Sequence, residues 1–203
     1  MSMFGSPIPG ETPIDDVSGL KIAGITTRAE LNIFEAQNIE KVAAKYLTIR
    51  PAERSAPFTD EWVFNLHKEM FGEVWDWAGI PRTREVNIGD KSYAIRGNLA
   101  NLLQDLASWP GFAMDFVEQA ARLHHRAVKI HPFPNGNGRW SRMLANIWLK
   151  RNRQPLTKWP EKVIGTESAI RAQYLAAIIK ADGGDYRDLI ALHRNFSEAS
   201  PSG

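Results

Sequence analysis

Residues 131–142 read HPFPNGNGRWSR, and this stretch decides how the surrounding chain must fold. Two prolines within three residues cannot lie inside a helix, so any helical pattern has to be interrupted here. Gly136 and Gly138 carry no Cβ, so the backbone can turn tightly and its N–H groups can approach a ligand closely. We therefore expect a tight turn that joins the end of one helix to the beginning of the next.

The same turn carries groups suited to binding a chain of phosphates. Its N–H groups come at the beginning of the following helix, where the helix dipole favours an anion. Arg139 and Arg142 are three residues apart, so both should project from one face of that helix. Two guanidinium groups beside several N–H donors suit a polyphosphate better than a single phosphate. His131, at the mouth of the turn, is a natural proton acceptor near neutral pH.

Helical spacing of apolar residues continues on both sides of the turn. Before it, the pattern predicts a helix from Asn98 to Trp109 and then a long helix that ends at Ile130. After it, the pattern predicts a helix from about Asn137 or Gly138. Two further helices should follow, at about Glu167–Lys180 and Tyr186–Arg194.

Two more helices are expected nearer the N-terminus, each marked by a capping residue. Thr27 begins a T-x-x-E capping box, which predicts the first helix. The second helix should begin at Thr59, where Phe58 and Val63 can form a hydrophobic staple, and should end near Gly72.

One segment, residues 82–96, has the pattern of β-strands instead. Its apolar residues lie on both sides of a Gly89-Asp90 turn: Val86, Ile88, Tyr93 and Ile95. That arrangement predicts a short β-hairpin. The predicted fold class is therefore all-α with one hairpin.

The composition excludes several classes of protein. With 43% hydrophobic residues the chain can bury a core, and a net charge of +2 gives no reason to expect a nucleic-acid binder. The absence of cysteine excludes disulfides and thiolate metal sites. No stretch approaches the ~20 apolar residues that span a bilayer, and residues 1–13 lack the features of a signal peptide. We expect a soluble, cytoplasmic protein that binds neither nucleic acid nor membrane.

The 131–142 stretch resembles the motif of the Fic/Doc superfamily, H-x-F-x-[D/E]-G-N-G-R-x-x-R, at every fixed position except the acidic one. The resemblance also includes His124-His125 in the preceding helix and the segment from Phe71-Gly72 to Arg82-Thr83. In layout the chain is similar to the compact branch called mobile mystery protein B. The resemblance implies a Fic-type helical bundle. We divide the chain into four parts: an arm at 1–26, a helix and linker at 27–57, a Fic domain at 58–195 and a disordered tail at 196–203.

Members of this superfamily typically transfer AMP from ATP to a Ser, Thr or Tyr hydroxyl of a target protein, and the resemblance implies the same reaction here. His131 would take the proton from the attacking hydroxyl, and Phe133 would point into the core and fix the loop. Gly136 to Gly138 would hold phosphates through their N–H groups and the Asn137 amide. The complete set of residues implied to bind the nucleotide is Asn135, Gly136, Asn137, Gly138, Arg139 and Arg142.

The predicted hairpin would act as a flap that aligns the target protein by main-chain pairing. Its docking residues would be Ser92, Tyr93, Ala94 and Ile95. Tyr93 and Ile95 would be the side chains that clamp the target.

Asn135 stands where the superfamily has Asp or Glu, the carboxylate that holds Mg²⁺ in active members. An amide oxygen suits Mg²⁺ but lacks the charge, so we expect Asn135 to hold the ion weakly, with most ligands coming from the phosphates of ATP. Two alternatives stay open. A Doc-like protein kinase is disfavoured by Gly138, because Doc-type motifs have Lys at that position. A catalytically weak Fic fold could instead serve as a nucleotide-binding toxin–antitoxin interaction module.

Many superfamily members are held inactive by a helix with the pattern [S/T]-x-x-x-E-[G/N], whose Glu occupies the second motif arginine. Here only Thr26 to Glu30 has that spacing, and Leu31 breaks the pattern. Glu30 is therefore assigned to the capping box, and an inhibitor or antitoxin would be a separate protein.

The remaining histidines are not expected to bind metal. His124 and His125 are adjacent, so they do not share one helical face, and a zinc site is not predicted. His67 and His193 are expected at the surface or at the edge of the core.

Overall fold

Eight α-helices account for most of residues 17–197, the part of the chain that the computed structural model describes. They are α1 (Arg28–Leu47), α2 (Asp60–Phe71), α3 (Ile95–Ser108), α4 (Phe116–Ile130), α5 (Asn137–Arg151), α6 (Glu161–Ile164), α7 (Ala169–Asp182) and α8 (Arg187–Asn195). Short 3₁₀ helices lie at Glu53–Ser55, Ser92–Ala94 and Trp109–Gly111. The all-α prediction is confirmed. The predicted arm up to residue 16 and the predicted tail from residue 198 lie outside the described residues.

Helices α4 and α5 pack against each other along their length and form the centre of the bundle. Helix α4 also packs against α3, α7 and α8, whereas α5 packs against α1 and α2. Helices α1 to α5 share one large apolar core, and a smaller cluster lies among α4, α6, α7 and α8. The short connection between the two central helices is therefore surrounded by the rest of the fold.

The predicted helix starts near the N-terminus are confirmed. Thr27 accepts a hydrogen bond from the N–H of Glu30 at 3.2 Å, and the Glu30 carboxylate accepts one from the N–H of Thr27 at 3.0 Å. Thr59 caps α2, and the helix ends at Gly72. Glu30 has the capping role that the sequence assigned to it.

The predicted β-hairpin at residues 82–96 is wrong. Between residues 17 and 197 the structure has isolated β-bridges but no named strand, and the segment is a loop up to residue 91, followed by a 3₁₀ turn and by α3. Instead of pairing with itself, the loop bonds through two of its N–H groups to the end of α4 and the connection that follows. Arg82 N donates to Pro132 O at 2.8 Å, and Asp90 N donates to Ile130 O at 3.3 Å.

The segments near both ends of the described chain pack against the bundle. Lys21 N donates to Val74 O at 2.8 Å and Asp76 N donates to Gly19 O at 2.9 Å, which places residues 19–21 along residues 74–76. At the other end, Lys158 N donates to Phe196 O at 2.7 Å. None of the helices between residues 17 and 197 combines the length and the apolar character needed to cross a membrane.

Candidate active site

The connection between α4 and α5 is a tight turn, as the sequence predicted. His131 caps α4 with a left-handed backbone (φ 52°), and Gly136 precedes α5 with φ 80°. A Cβ on Gly136 would lie 2.7 Å from the ring of Phe71, so both the backbone angle and the space require glycine. Phe133 is fully buried, and its ring stacks on His67 with 3.6 Å between centroids. The expectation that Phe133 fixes the loop in the core is confirmed.

Two asparagine side chains hold the turn from inside. The amide of Asn137 accepts from Phe133 N at 2.9 Å and donates to Phe133 O at 2.8 Å. Both ends of this amide therefore bond to the turn itself, and because an amide has a second N–H, its role in phosphate binding stays a prediction. Asn135 Oδ1 accepts the N–H of Gly136 at 2.7 Å, so that N–H is also engaged. The N–H groups of Asn137 and Gly138 lie in the first turn of α5, where a helix supplies no acceptor.

His131 presents one nitrogen as a proton acceptor. Its Nδ1 lies 3.2 Å from Val128 O, and because a carbonyl only accepts, the neutral ring carries its proton on Nδ1 and its lone pair on Nε2. The residue is buried, and burial together with the nearby Arg82 guanidinium lowers the pKa of His131 from 6.5 to about 4. The imidazole is therefore neutral at pH 7, which is the form that a general base requires.

The two motif arginines do not point at a common empty site. Arg139 Nη1 forms an ion pair with Glu35 of α1 at 2.7 Å, and the other Glu35 oxygen accepts the indole N–H of Trp75 at 2.7 Å. Arg142 forms a bidentate pair with Glu161, at 2.7 and 2.5 Å. Arginines in the first turns of a helix oppose its dipole, so an anion is needed to compensate their charges. In this structure carboxylates provide that compensation.

Glu35 and Glu161 were missed by the sequence analysis. Glu35 does carry a signal, because it lies on the buried face of α1 at helical spacing with three apolar or aromatic residues and one amide: Leu31, Asn38, Val42 and Tyr46. A carboxylate on a buried stripe needs a partner, which Arg139 supplies. Glu161 begins a four-residue helix, and nothing in its sequence neighbourhood indicates the partner.

The expectation that His67 and His193 lie at the surface or core edge is wrong, since both are almost completely buried. His67 accepts from Gly79 N at 3.0 Å through Nδ1, so its Nε2–H donates to Asn135 O at 3.0 Å and supports the turn. His193 Nε2 lies 3.1 Å from His124 Nδ1.

The rings of His193 and His124 belong to a buried hydrogen-bonded chain that spans three helices. Thr157 bonds to His193 Nδ1 at 2.9 Å, and His124 Nε2 bonds to the Tyr174 hydroxyl at 3.0 Å. The guanidinium of Arg142 lies 5.7 Å from the Tyr174 ring centre. The chain therefore leads from α8 through α4 and α7 to the second motif arginine. Within residues 17–197 there is no group of three His, Cys, Asp or Glu side chains that could hold a metal ion.

The four predicted docking residues, 92–95, are brought together but differ in exposure. Tyr93 is 87% exposed, whereas Ile95 is 1% exposed and lies in the core as the first residue of α3. Ile95 therefore cannot clamp a target, and that prediction is wrong. Ser92 donates to Glu85 through both its N–H and its hydroxyl, at 3.0 and 2.9 Å, which closes the loop.

A cleft of about 350 Å³ opens beside this loop and the end of α4. It is bordered by Asp90 of the loop, by Lys129 and by Asp182. Lys129 and Asp182 form an ion pair at 3.3 Å, so the lining carries charges of both signs. Such a lining does not have the uniform positive character that a phosphate chain would favour.

Comparison with known proteins gives matches of three kinds. Residues 57–149 match the model of the Fic/DOC family. Protein adenylyltransferase fic-1 of Caenorhabditis briggsae is 31% identical over 143 residues, which are 68% of this chain and 27% of that protein. The structure of Fic-1 (residues 134–508) from Caenorhabditis elegans has a TM-score of 0.66 at 22% identity, covering 86% of this chain and 50% of that one.

BepC, a VirB-translocated effector protein of Bartonella tribocorum solved with bound AMPPNP, has a TM-score of 0.64 at 17% identity. The match covers 88% of this chain and 91% of that one. At these identities the structural matches show a common fold. The chain spans only about a quarter of the length of the curated relatives that it matches.

Proposed function

Because the chain belongs to the Fic/DOC family, we propose that it is a protein adenylyltransferase that transfers AMP from ATP to a hydroxyl side chain of a target protein. The observation that carries the proposal is the position of His131. A neutral imidazole with its lone pair on Nε2 adjoins a glycine-containing turn, and that turn leads into the N-terminus of α5. A base and an anion-binding helix end are the two elements that this reaction requires.

The reaction has one proton transfer and one displacement. The target hydroxyl oxygen attacks the α-phosphorus of ATP while His131 Nε2 takes its proton. The bond between the α-phosphorus and the bridging oxygen breaks, and pyrophosphate leaves. The N–H groups of Asn137 and Gly138 would bind phosphate oxygens, and Arg139 and Arg142 would balance the charge of the departing pyrophosphate.

Nucleotide binding must then compete with two carboxylates of the same chain. Glu35 and Glu161 hold the guanidinium groups that the β- and γ-phosphates would need. The competition is unequal, because the Glu35 side chain is 2% exposed and also bonds to Trp75, whereas the Glu161 side chain is 48% exposed. We expect phosphate to displace Glu161 more readily than Glu35.

Mg²⁺ would be held mainly by the phosphates of ATP. The one ligand that the sequence indicates, Asn135, offers a neutral oxygen that already accepts the Gly136 N–H at 2.7 Å. Mg²⁺ prefers charged oxygen ligands in near-octahedral geometry. This donor set does not fit a tightly bound ion, so we assign no step of the reaction to it.

A labelling experiment distinguishes the candidate activities. The purified chain is incubated with protein extract and with ATP labelled at either the α- or the γ-phosphate. We expect α-label to appear on protein, and we expect His131→Ala to lower its rate by about 10² to 10⁴-fold, the usual contribution of a general base. Transfer of γ-label would instead indicate a Doc-like kinase. Nucleotide binding without either transfer would indicate the toxin–antitoxin interaction module.

The identity of the acceptor is the finer part of the proposal. We propose a Ser, Thr or Tyr hydroxyl on a cytoplasmic target, and a separate antitoxin or inhibitor protein stays a prediction. Mass spectrometry of the labelled protein tests the acceptor, because AMP on a non-hydroxyl side chain would contradict it.

A further inference from the structure

One buried guanidinium connects the loop of residues 82–91 to the active-site turn. The Arg82 side chain is 2% exposed and donates to three main-chain carbonyls: His131 O at 2.8 Å, Arg84 O at 3.0 Å and Asp90 O. Glu85 lies 3.8 Å away and is half exposed. A buried charge is costly unless it is well solvated by dipoles, and here carbonyls provide most of that solvation.

Hydrogen bonds from the loop of residues 82–91 fall on consecutive residues around the proposed base. The carbonyls of Ile130, His131 and Pro132 all accept hydrogen bonds from this loop: from Asp90 N, from the Arg82 side chain and from Arg82 N. Both residues before and after His131 are therefore fixed by the same loop. No other part of the described chain bonds to all three carbonyls in this way.

The loop also fits closely against His131 at a single glycine. Gly89 has φ +107°, and a Cβ placed there would lie 2.4 Å from His131 Cβ. His131 itself has a left-handed backbone, which is unfavourable for any residue other than glycine. Such a conformation persists only where its surroundings enforce it, and the contacts from Arg82 and Gly89 are those surroundings.

We propose that Arg82 is a positioning residue for the transfer reaction, holding His131 in its left-handed conformation so that the imidazole keeps Nδ1 on Val128 O and Nε2 in the orientation that the base requires. The inference rests on the proposed role of His131. A second effect acts in the same direction, because the Arg82 charge helps to lower the pKa of the imidazole after burial, which contributes most.

Two substitutions separate the hydrogen bonds of Arg82 from its charge. Arg82→Lys keeps a buried cation, but one ammonium group cannot reach three carbonyls. We expect its kcat to fall about 10- to 100-fold, the effect of a misplaced catalytic group, with the KM for ATP within about twofold. Arg82→Met also removes the charge, so the pKa of His131 should rise and the acid limb of kcat/KM should move to higher pH. Arg84→Met is the matched control, because that side chain is exposed and only its main chain contacts Arg82.

An NMR titration tests the positioning role of Arg82 independently of transferase activity. NMR titration of His131 should show a neutral ring with Nδ1 protonated at pH 6 in the wild-type chain and protonation at higher pH in Arg82→Met. If His131 kept both the same tautomer and the same titration in Arg82→Met, the proposal would be overturned, whether or not the chain has transferase activity. If Arg82→Met does not fold, Arg82→Lys decides: an unchanged kcat, or a fall in kcat with an equal rise in KM, would contradict positioning.

Discussion

The turn at residues 131–137 and the loop at residues 82–91 lie against each other but are stabilised in different ways. The turn is held by its own side chains, since Asn137 bonds to both backbone groups of Phe133 and the Phe133 ring is packed in the core. The loop is held by polar bonds, both to carbonyls of the turn and, through the Arg82 side chain, to its own carbonyls at Arg84 and Asp90. The turn therefore takes most of its stability from packing in the core, whereas the loop contributes polar contacts that fix the backbone at His131, and three substitutions test that distinction.

The largest effect on stability is expected from Phe133, the side chain that anchors the turn in the core. Phe133→Ala should lower the free energy of unfolding by about 3–5 kcal/mol, because it removes a fully buried ring that packs on His67 and Trp140. Val86→Ala, a half-buried position in the loop, should cost less than about 1.5 kcal/mol. Urea unfolding measures both values. Equal losses would mean that the loop contributes as much stability as the turn.

A smaller effect, on the affinity for ATP, is expected from Glu161, the carboxylate that pairs with Arg142 of α5. Glu161→Gln removes the carboxylate from Arg142, which is buried and would then favour a phosphate. We expect the Kd for ATP to fall about 10-fold, which is about 1.4 kcal/mol. Glu53→Gln is the control, because Glu53 pairs with Arg151 at the far end of α5. Isothermal titration calorimetry measures the Kd for ATP of the wild type and of both variants. Equal Kd values would show that Glu161 does not compete with the nucleotide.

The smallest effect on stability is expected at the exposed end of the loop segment. Tyr93→Ala should change the free energy of unfolding by less than about 0.5 kcal/mol, because Tyr93 is 87% exposed. If residues 92–95 dock the target, the same variant should lose labelling of target protein while it binds ATP normally. Wild-type labelling by Tyr93→Ala would remove Tyr93 from the docking surface. Ser108→Ala, at the other end of α3, serves as the control.

The features that could be predicted from the sequence are those that neighbouring residues determine by themselves. Prolines and glycines determine the turn, and the capping residues Thr27 and Thr59 determine two helix starts, so these features could be predicted. It failed at residues 82–96, where an alternating pattern indicated a hairpin. The hydrogen bonds that set this loop come from carbonyls about fifty residues away, and periodicity carries no information about them.

The same reason explains the errors at the site. The motif identifies Arg139 and Arg142, but their partners, Glu35 and Glu161, come from other elements and can be found only in three dimensions. His67 was placed near the surface because a histidine in an amphipathic helix gives no sign of the backbone groups that will bond to it. Its partners, Gly79 and Asn135, lie in two separate loops.

The hydrogen-bonded chain from Thr157 through His193 and His124 to Tyr174 bears on how small a working fragment can be. The family match ends at residue 149, yet three of these four residues come after it. A fragment cut at that boundary would leave His124 without either ring partner in the middle of α4, seven residues before His131. The smallest unit that preserves the site therefore extends through α8.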